Sequence, residues 1–155
     1  MATPSAAFRP LAVIPRPELH LAGKVCLGIL TFLSLGALGG AAFLVTSPDG
    51  SAMQWTVSML DGSPFVDFFV PGLILGGLFG VGSLAVVAMG LAKWRIAPFL
   101  AFAIGTGQMI WIVVELAIIG QFSFLHPMCF GLGLAIAVAA VPWGWPTFQA
   151  WRRAR

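Results

Sequence analysis

The chain has 155 residues, of which 59% are hydrophobic and only 8% charged, with eight Lys or Arg against five Asp or Glu. Soluble domains carry about 25% charged residues and about 45–50% apolar ones, and a chain this short has too much surface for its volume to bury such a composition in water. A soluble enzyme, a disordered regulator and a secreted disulfide domain are excluded, which leaves an integral membrane protein.

Residues 1–24 contain Pro4, Pro10, Pro15 and Pro17, a density that blocks a regular helix and predicts a flexible cytoplasmic tail. The first apolar run, 25–45, is long enough to span a bilayer. It is too long and too far from the start for the apolar core of a signal peptide, which is about 7–15 residues, so a retained helix is expected. In the following loop, Ser47-Pro48-Asp49-Gly50 is a turn signal. Met53, Val57 and Leu60 then recur at helical spacing and predict a short helix lying in the headgroup layer. Ser63-Pro64 has the chemistry of a helix start, and Asp67 suits the positive end of that helix's dipole.

The second span covers 68–91. Pro71-Gly72 near its beginning predicts a kink on entry to the membrane. Gly72, Gly76 and Gly80 repeat every four residues, as do Gly36 and Gly40 on the first span and Gly131, Ala135 and Ala139 on the last. Such stripes let helix backbones approach closely, within one chain or between two. The third span, 96–119, is interrupted only by Gln108 and Glu115. Gln108, Trp111 and Glu115 share a helix face. An acid in hydrocarbon costs at least a few kcal/mol, roughly, and is a functional candidate by default. Two readings of Glu115 compete: structural pairing, with His126 at the start of the next span as partner, and a role toward an ion, a proton or a ligand. The fourth span is expected over 127–145, where Pro142, Gly144 and Pro146 cluster, followed by a basic tail over 147–155.

Orientation follows from the cations. Arg9, Arg16 and Lys24 precede the first span, Lys93 and Arg95 separate the second from the third, and Arg152, Arg153 and Arg155 follow the fourth. The other two connections contain no Lys or Arg, and Asp49, Asp61 and Asp67 all fall in them. Basic residues beside short loops stay cytoplasmic, so both termini are expected inside. Trp94, Trp143, Trp145 and Trp151 are expected to anchor the inner boundary. The net charge of +3, spread along that face, points to anionic headgroups rather than nucleic acid.

Catalytic and metal chemistry lacks its usual parts. His20 and His126 belong to opposite boundaries, about 30 Å apart, and Cys26 and Cys129 are separated in the same way, beyond disulfide reach. No CxxC, HExxH, phosphate-loop or dinucleotide pattern occurs, and Ser63, Asp67 and His126 lack the elbow that presents a nucleophile. No metal, cofactor or disulfide is expected.

Asp61-Gly62-Ser63-Pro64-Phe65-Val66-Asp67 followed by Pro71-Gly72, and Trp111-Ile112-Val113-Val114-Glu115 followed by Ser123-Phe124-Leu125-His126-Pro127, resemble a widespread set of small, uncharacterised bacterial four-span membrane proteins. The likeness covers about half the chain, residues 61–134. It implies a bacterial membrane location and a four-helix arrangement. It carries over no activity, and it singles out Asp67, Trp111, Glu115 and His126.

The expectation is therefore an all-α four-helix transmembrane bundle, both termini inside, with a short interfacial helix in the outer loop. Its partners would be the lipid bilayer and either another membrane protein or a second copy of itself. Three functions stand open. The first is a non-enzymatic accessory or assembly subunit packing through its glycine faces. The second is a small transporter or channel component using Glu115 with Gln108 and His126. The third is an outer-face enzyme acting on lipid or quinone through Asp67 and His126.

Overall fold

The computed structural model describes residues 19–120 and 122–153, so the proline-rich start of the chain lies outside the described residues. Four helices, α1 (Leu21–Thr46), α2 (Phe69–Leu91), α3 (Ala97–Ile119) and α4 (Leu125–Arg153), are each long and apolar enough to cross a membrane. No strand occurs among the described residues. Short connections make the helices run up and down, so one end of the bundle carries His20, the Lys93–Arg95 turn and Arg153. The other end carries the 47–68 loop. Lys24, Lys93, Arg95, Arg152 and Arg153 are all exposed at the first end, and Asp49, Asp61 and Asp67 lie at the second.

Helix starts and stops have local causes, and several depart from expectation. α2 begins at Phe69 and not at Ser63-Pro64. The Ser63 hydroxyl is spent on a local turn, accepting the Phe65 N–H at 3.2 Å, while Asp67 Oδ1 accepts the Phe69 N–H at 2.9 Å. Pro71 is then the third residue of the helix, where no N–H has an intrahelical partner to lose, so the expected entry kink has no cause there. The irregularity comes later, as a π-helical stretch over Leu75–Val81, in a run containing Gly76, Gly77 and Gly80. The Ser34 hydroxyl of α1 donates to the Gly80 carbonyl in that stretch at 2.8 Å. α2 closes with Lys93 N–H on the Gly90 carbonyl (3.0 Å) and Trp94 N–H on the Met89 carbonyl (2.9 Å). Lys93 takes the left-handed φ of 56° that glycine usually supplies at this point.

α4 is the largest departure. It passes through Pro142 and Pro146 and ends at Arg153 rather than near 145. Pro146 has no N–H to offer the carbonyl of Pro142 four residues back. That carbonyl lies 3.2 Å from His20 Nε2, so a side chain from the start of α1 fills the gap. Membrane helices tolerate proline where such partners restore the freed group.

The bundle is two hairpins side by side. In the first, Gly72, Gly76 and Gly80 of α2 lie on α1: a Cβ added at these positions would stand 2.8 Å from Leu44 Cβ, 2.8 Å from Ala41 Cβ and 2.7 Å from Leu38 Cδ2. In the second, Gly105 of α3 and Gly133 of α4 bring backbones into contact, with a Cβ at Gly105 only 2.6 Å from the Gly133 carbonyl oxygen. The hairpins meet through α1 and α4. At the end carrying the termini, Trp143 fills the seam, its indole against Gly23 of α1 and Gly90 of α2. It is 1% exposed, a core residue and not the interfacial anchor its neighbours Trp145 and Trp151 resemble. Cys26, Leu30, Phe79, Ala101 and Ile136 complete this core.

Candidate functional site

Toward the loop end the two hairpins diverge. The 47–68 loop folds over the gap with two short 3-10 turns, Ser51–Met53 and Val57–Leu60. Three devices fix it. Asp49 Oδ1 accepts from the Ser51 hydroxyl at 2.7 Å and its amide at 3.1 Å, which holds the Asp49 carboxyl below its usual range. Gly50 takes φ 81°, with Phe68 and the Trp55 backbone so near that a side chain would collide. The Phe68 N–H donates to the Pro48 carbonyl at 2.9 Å, tying the loop's start to its end. Leu60 and Phe68 are thereby buried, with Trp55 tilted on Phe68 at 5.4 Å between centroids.

Beneath this cover lies a cavity of about 360 Å³ lined by residues of all four helices and the loop. Its walls are mostly apolar. An enclosed void of that size, left empty, would cost on the order of 9 kcal/mol at about 24 cal/mol per Å³, comparable to the whole stability of a domain, roughly 5–15 kcal/mol. The cavity escapes that cost by opening sideways. Among its lining residues, Phe32 and Gly36 of α1, Val114 of α3 and Leu125 and Met128 of α4 remain exposed; four of these five lie on α1 and α4, which sets the mouth on that side, where lipid would stand.

Gln108, Trp111, Glu115 and His126, four of the five polar-site candidates from the sequence, all line this cavity. α3 supplies the first three from one face. Trp111 tilts against Phe79 at 6.0 Å, and Glu115 stands one turn on from it on the same helix face. His126 comes from the first turn of α4 and is buried. Its Nδ1 lies 3.0 Å from the Ser123 amide nitrogen and 3.2 Å from the Ser123 carbonyl oxygen, so the backbone of Ser123 holds that edge of the ring. The Ser123 hydroxyl accepts the Leu125 N–H at 3.2 Å, so one serine both caps α4 and orients the imidazole. The hydrogen-bonding edge of the ring faces Ser123, and Glu115 and His126 share the cavity.

Gln108 differs from the others. It is 2% exposed and its Oε1 has no hydrogen-bond partner. An unbonded buried amide oxygen costs roughly 1–3 kcal/mol.

The remaining candidates fall elsewhere. Asp67 is occupied as the cap of α2 and does not line the cavity. Gly36 and Gly131, expected to pack, have no neighbour within 4 Å of an added Cβ, whereas Gly40 meets Leu75 at 3.2 Å. Cys129, one turn after His126 in the sequence, also lines the cavity, and Cys26 is a separate, buried free thiol. No cluster of His, Cys, Asp and Glu able to hold a metal occurs among the described residues. No family model, curated protein or solved structure matches the chain.

Proposed function

We propose that this chain is a non-catalytic protein of the bacterial cytoplasmic membrane, both termini inside, that binds a membrane-soluble amphiphile in the cavity beneath its outer loop. The observation that carries the reading is the convergence of Gln108, Trp111, Glu115 and His126 on one otherwise apolar, side-opening space. Small-molecule sites have this character: apolar walls with a few polar groups that fix orientation. The grouping of basic residues at one end supports the orientation. A route for ions would need polar lining through both halves of the bundle, and the half that carries the termini is closed by Trp143, Ile136 and Phe79.

The test is photolabelling of the full chain in phosphatidylcholine nanodiscs with a hydrocarbon-chain probe carrying a mid-chain diazirine. Labelled peptides are expected to concentrate at Phe32–Gly40 and Leu125–Leu132, and Gly36→Trp, which obstructs the mouth, is expected to remove most of that signal. Labelling spread evenly over the exposed apolar residues of all four helices overturns the reading.

A second reading, an accessory subunit, is supported by Gly28, Gly36 and Gly39. All three lie exposed on α1 with open space around them, suited to a partner helix. Disulfide trapping between copies bearing Gly28→Cys, or with co-purified membrane proteins, distinguishes it.

A further inference from the structure

We infer that the chain carries a site for an anionic phospholipid at the end that holds its termini, with one acyl chain in a groove between α3 and α4 and the phosphate held by Arg95 and Arg152. The site is separate from the cavity under the loop and does not depend on the reading of that cavity. Three observations carry it.

The first is the length of α4. At 29 residues and about 1.5 Å per residue the helix is about 44 Å long, against about 30 Å for the hydrocarbon core of a bilayer. Gly144 stands opposite Pro98 at the start of α3, where an added Cβ would lie 3.1 Å from the Pro98 Cβ, and α4 runs on from there to Arg153. The overhang carries Arg152 and Arg153 toward the layer where lipid phosphates lie. It also continues a row of rings along the helix, with Trp145 and Phe148 at 5.9 Å between centroids and Phe148 and Trp151 at 6.5 Å. Tryptophan at a helix end belongs to the headgroup boundary.

The second is the groove. It holds about 230 Å³, walled by Phe99 and Phe102 of α3 and by Trp145 and Phe148 of α4, and floored by Ala140 and Gly144. Phe99, Phe102 and Trp145 are exposed, so it opens to the surface of the bundle. Its lining holds no charged, hydroxyl or amide side chain, and it is smaller than the roughly 300–1,000 Å³ of sites that enclose a whole small molecule. Both properties suit a length of hydrocarbon chain. A partner helix, about 10–12 Å across, would be held off by the four rings from the small residues of the floor, where helix packing needs its close backbone approach.

The third is charge. Arg95 lies in the turn that leads into α3, four residues before Phe99, and Arg152 lies one turn after Phe148, so the two arginines stand at the same end of the groove. Both are exposed. No Asp or Glu among the described residues shares this end of the bundle, since Asp49, Asp61 and Asp67 are at the loop end and Glu115 lines the cavity under the loop. Guanidinium groups match pairs of phosphate oxygens, and basic clefts between membrane helices seat anionic lipid heads. A zwitterionic head brings its own ammonium into the cluster of cations and gains less.

The experiment is native mass spectrometry of the full chain in detergent, titrated with phosphatidylglycerol or phosphatidylcholine of identical acyl chains. A phosphatidylglycerol bearing a mid-chain diazirine locates the chain. One phosphatidylglycerol is expected to bind about thirtyfold more tightly than phosphatidylcholine, at about 1 kcal/mol for each of the two cations. Combining Arg95→Gln with Arg152→Gln should bring it down to the phosphatidylcholine level, while Lys24→Gln, at the same end but on α1, should leave it nearly unchanged. Label is expected within residues 98–102 and 140–148. Equal binding of the two lipids overturns the ligand class. Equal losses in Lys24→Gln and the double arginine variant assign the preference to the basic end as a whole and overturn the site, and label spread over all four helices overturns the groove. Disulfide trapping between copies bearing Phe102→Cys in phosphatidylglycerol vesicles would put a second copy in the groove and overturn the lipid. If the double variant does not fold, the lipid preference and the label position on the native chain decide.

Discussion

The two halves of the bundle are made from the same four helices and are packed by opposite rules. Toward the termini, small residues draw the backbones together and one large ring, Trp143, closes the remaining seam against Gly23 and Gly90. Toward the loop, large apolar side chains stand around a space they do not fill. The difference shows that tight packing was within reach of this sequence. Filling the cavity would have taken only larger residues at Gly36, Ala37 or Gly40, all of which line it. The packed end and the hollow end thus divide the bundle, and the proposed site falls in the hollow one.

Substitutions can break that division. The largest effect is expected at Gly133, where an added Cβ would meet the Gly105 carbonyl oxygen at 2.7 Å. Backbone cannot step aside as a side chain can, so Gly133→Val should cost about 3 kcal/mol or more, the upper range for overpacked cores. Thermal unfolding in detergent would show it. Gly131→Val, two residues away with open space around it, should stay within about 0.5 kcal/mol, as surface changes do. Equal losses at the two positions would remove the distinction between packed and open faces.

An effect of opposite sign is expected in the hollow half. Gln108→Leu removes an unsatisfied buried group and should raise stability by about 1–2 kcal/mol. A loss of stability would mean that the amide is already satisfied in the empty protein. Asp67→Ala should cost about 1 kcal/mol, the usual worth of a helix N-cap, and should leave cavity labelling unchanged because Asp67 stands outside it.

How far the sequence reaches can be followed residue by residue. Span positions were legible because hydropathy over about 20 residues is a strong, additive signal. The Gly72, Gly76 and Gly80 stripe was legible because one face of α2 is small and the others are not. The last helix was not legible in the same way. It carries small residues on two faces, Gly131 with Ala135 and Ala139, and Gly133 with Ala137 and Ala140, and only the second is buried. Spacing alone cannot choose between them. Its end was misplaced because the partner that tolerates Pro146 is His20, 122 residues from Pro142 in sequence. Of the site, Gln108, Trp111, Glu115 and His126 were visible as polar groups out of place in hydrocarbon. The roof over them was not, since its closure depends on Gly50, Trp55 and Phe68 meeting in three dimensions.

The π-helical stretch in α2 has a bearing on how the two halves coexist. One residue more than an α-helix needs turns everything after it by about 100°. Gly72, Gly76 and Gly80 can thus seat against α1 while Gly90, beyond the insertion, still reaches Trp143. Deleting a single residue between Leu75 and Val81 would leave hydropathy and length almost untouched, yet it would dephase the helix and swing Gly90 out from under the tryptophan. In this protein the alignment of scaffold with pocket is set by a count of residues along one helix, a clutch that slips by whole steps.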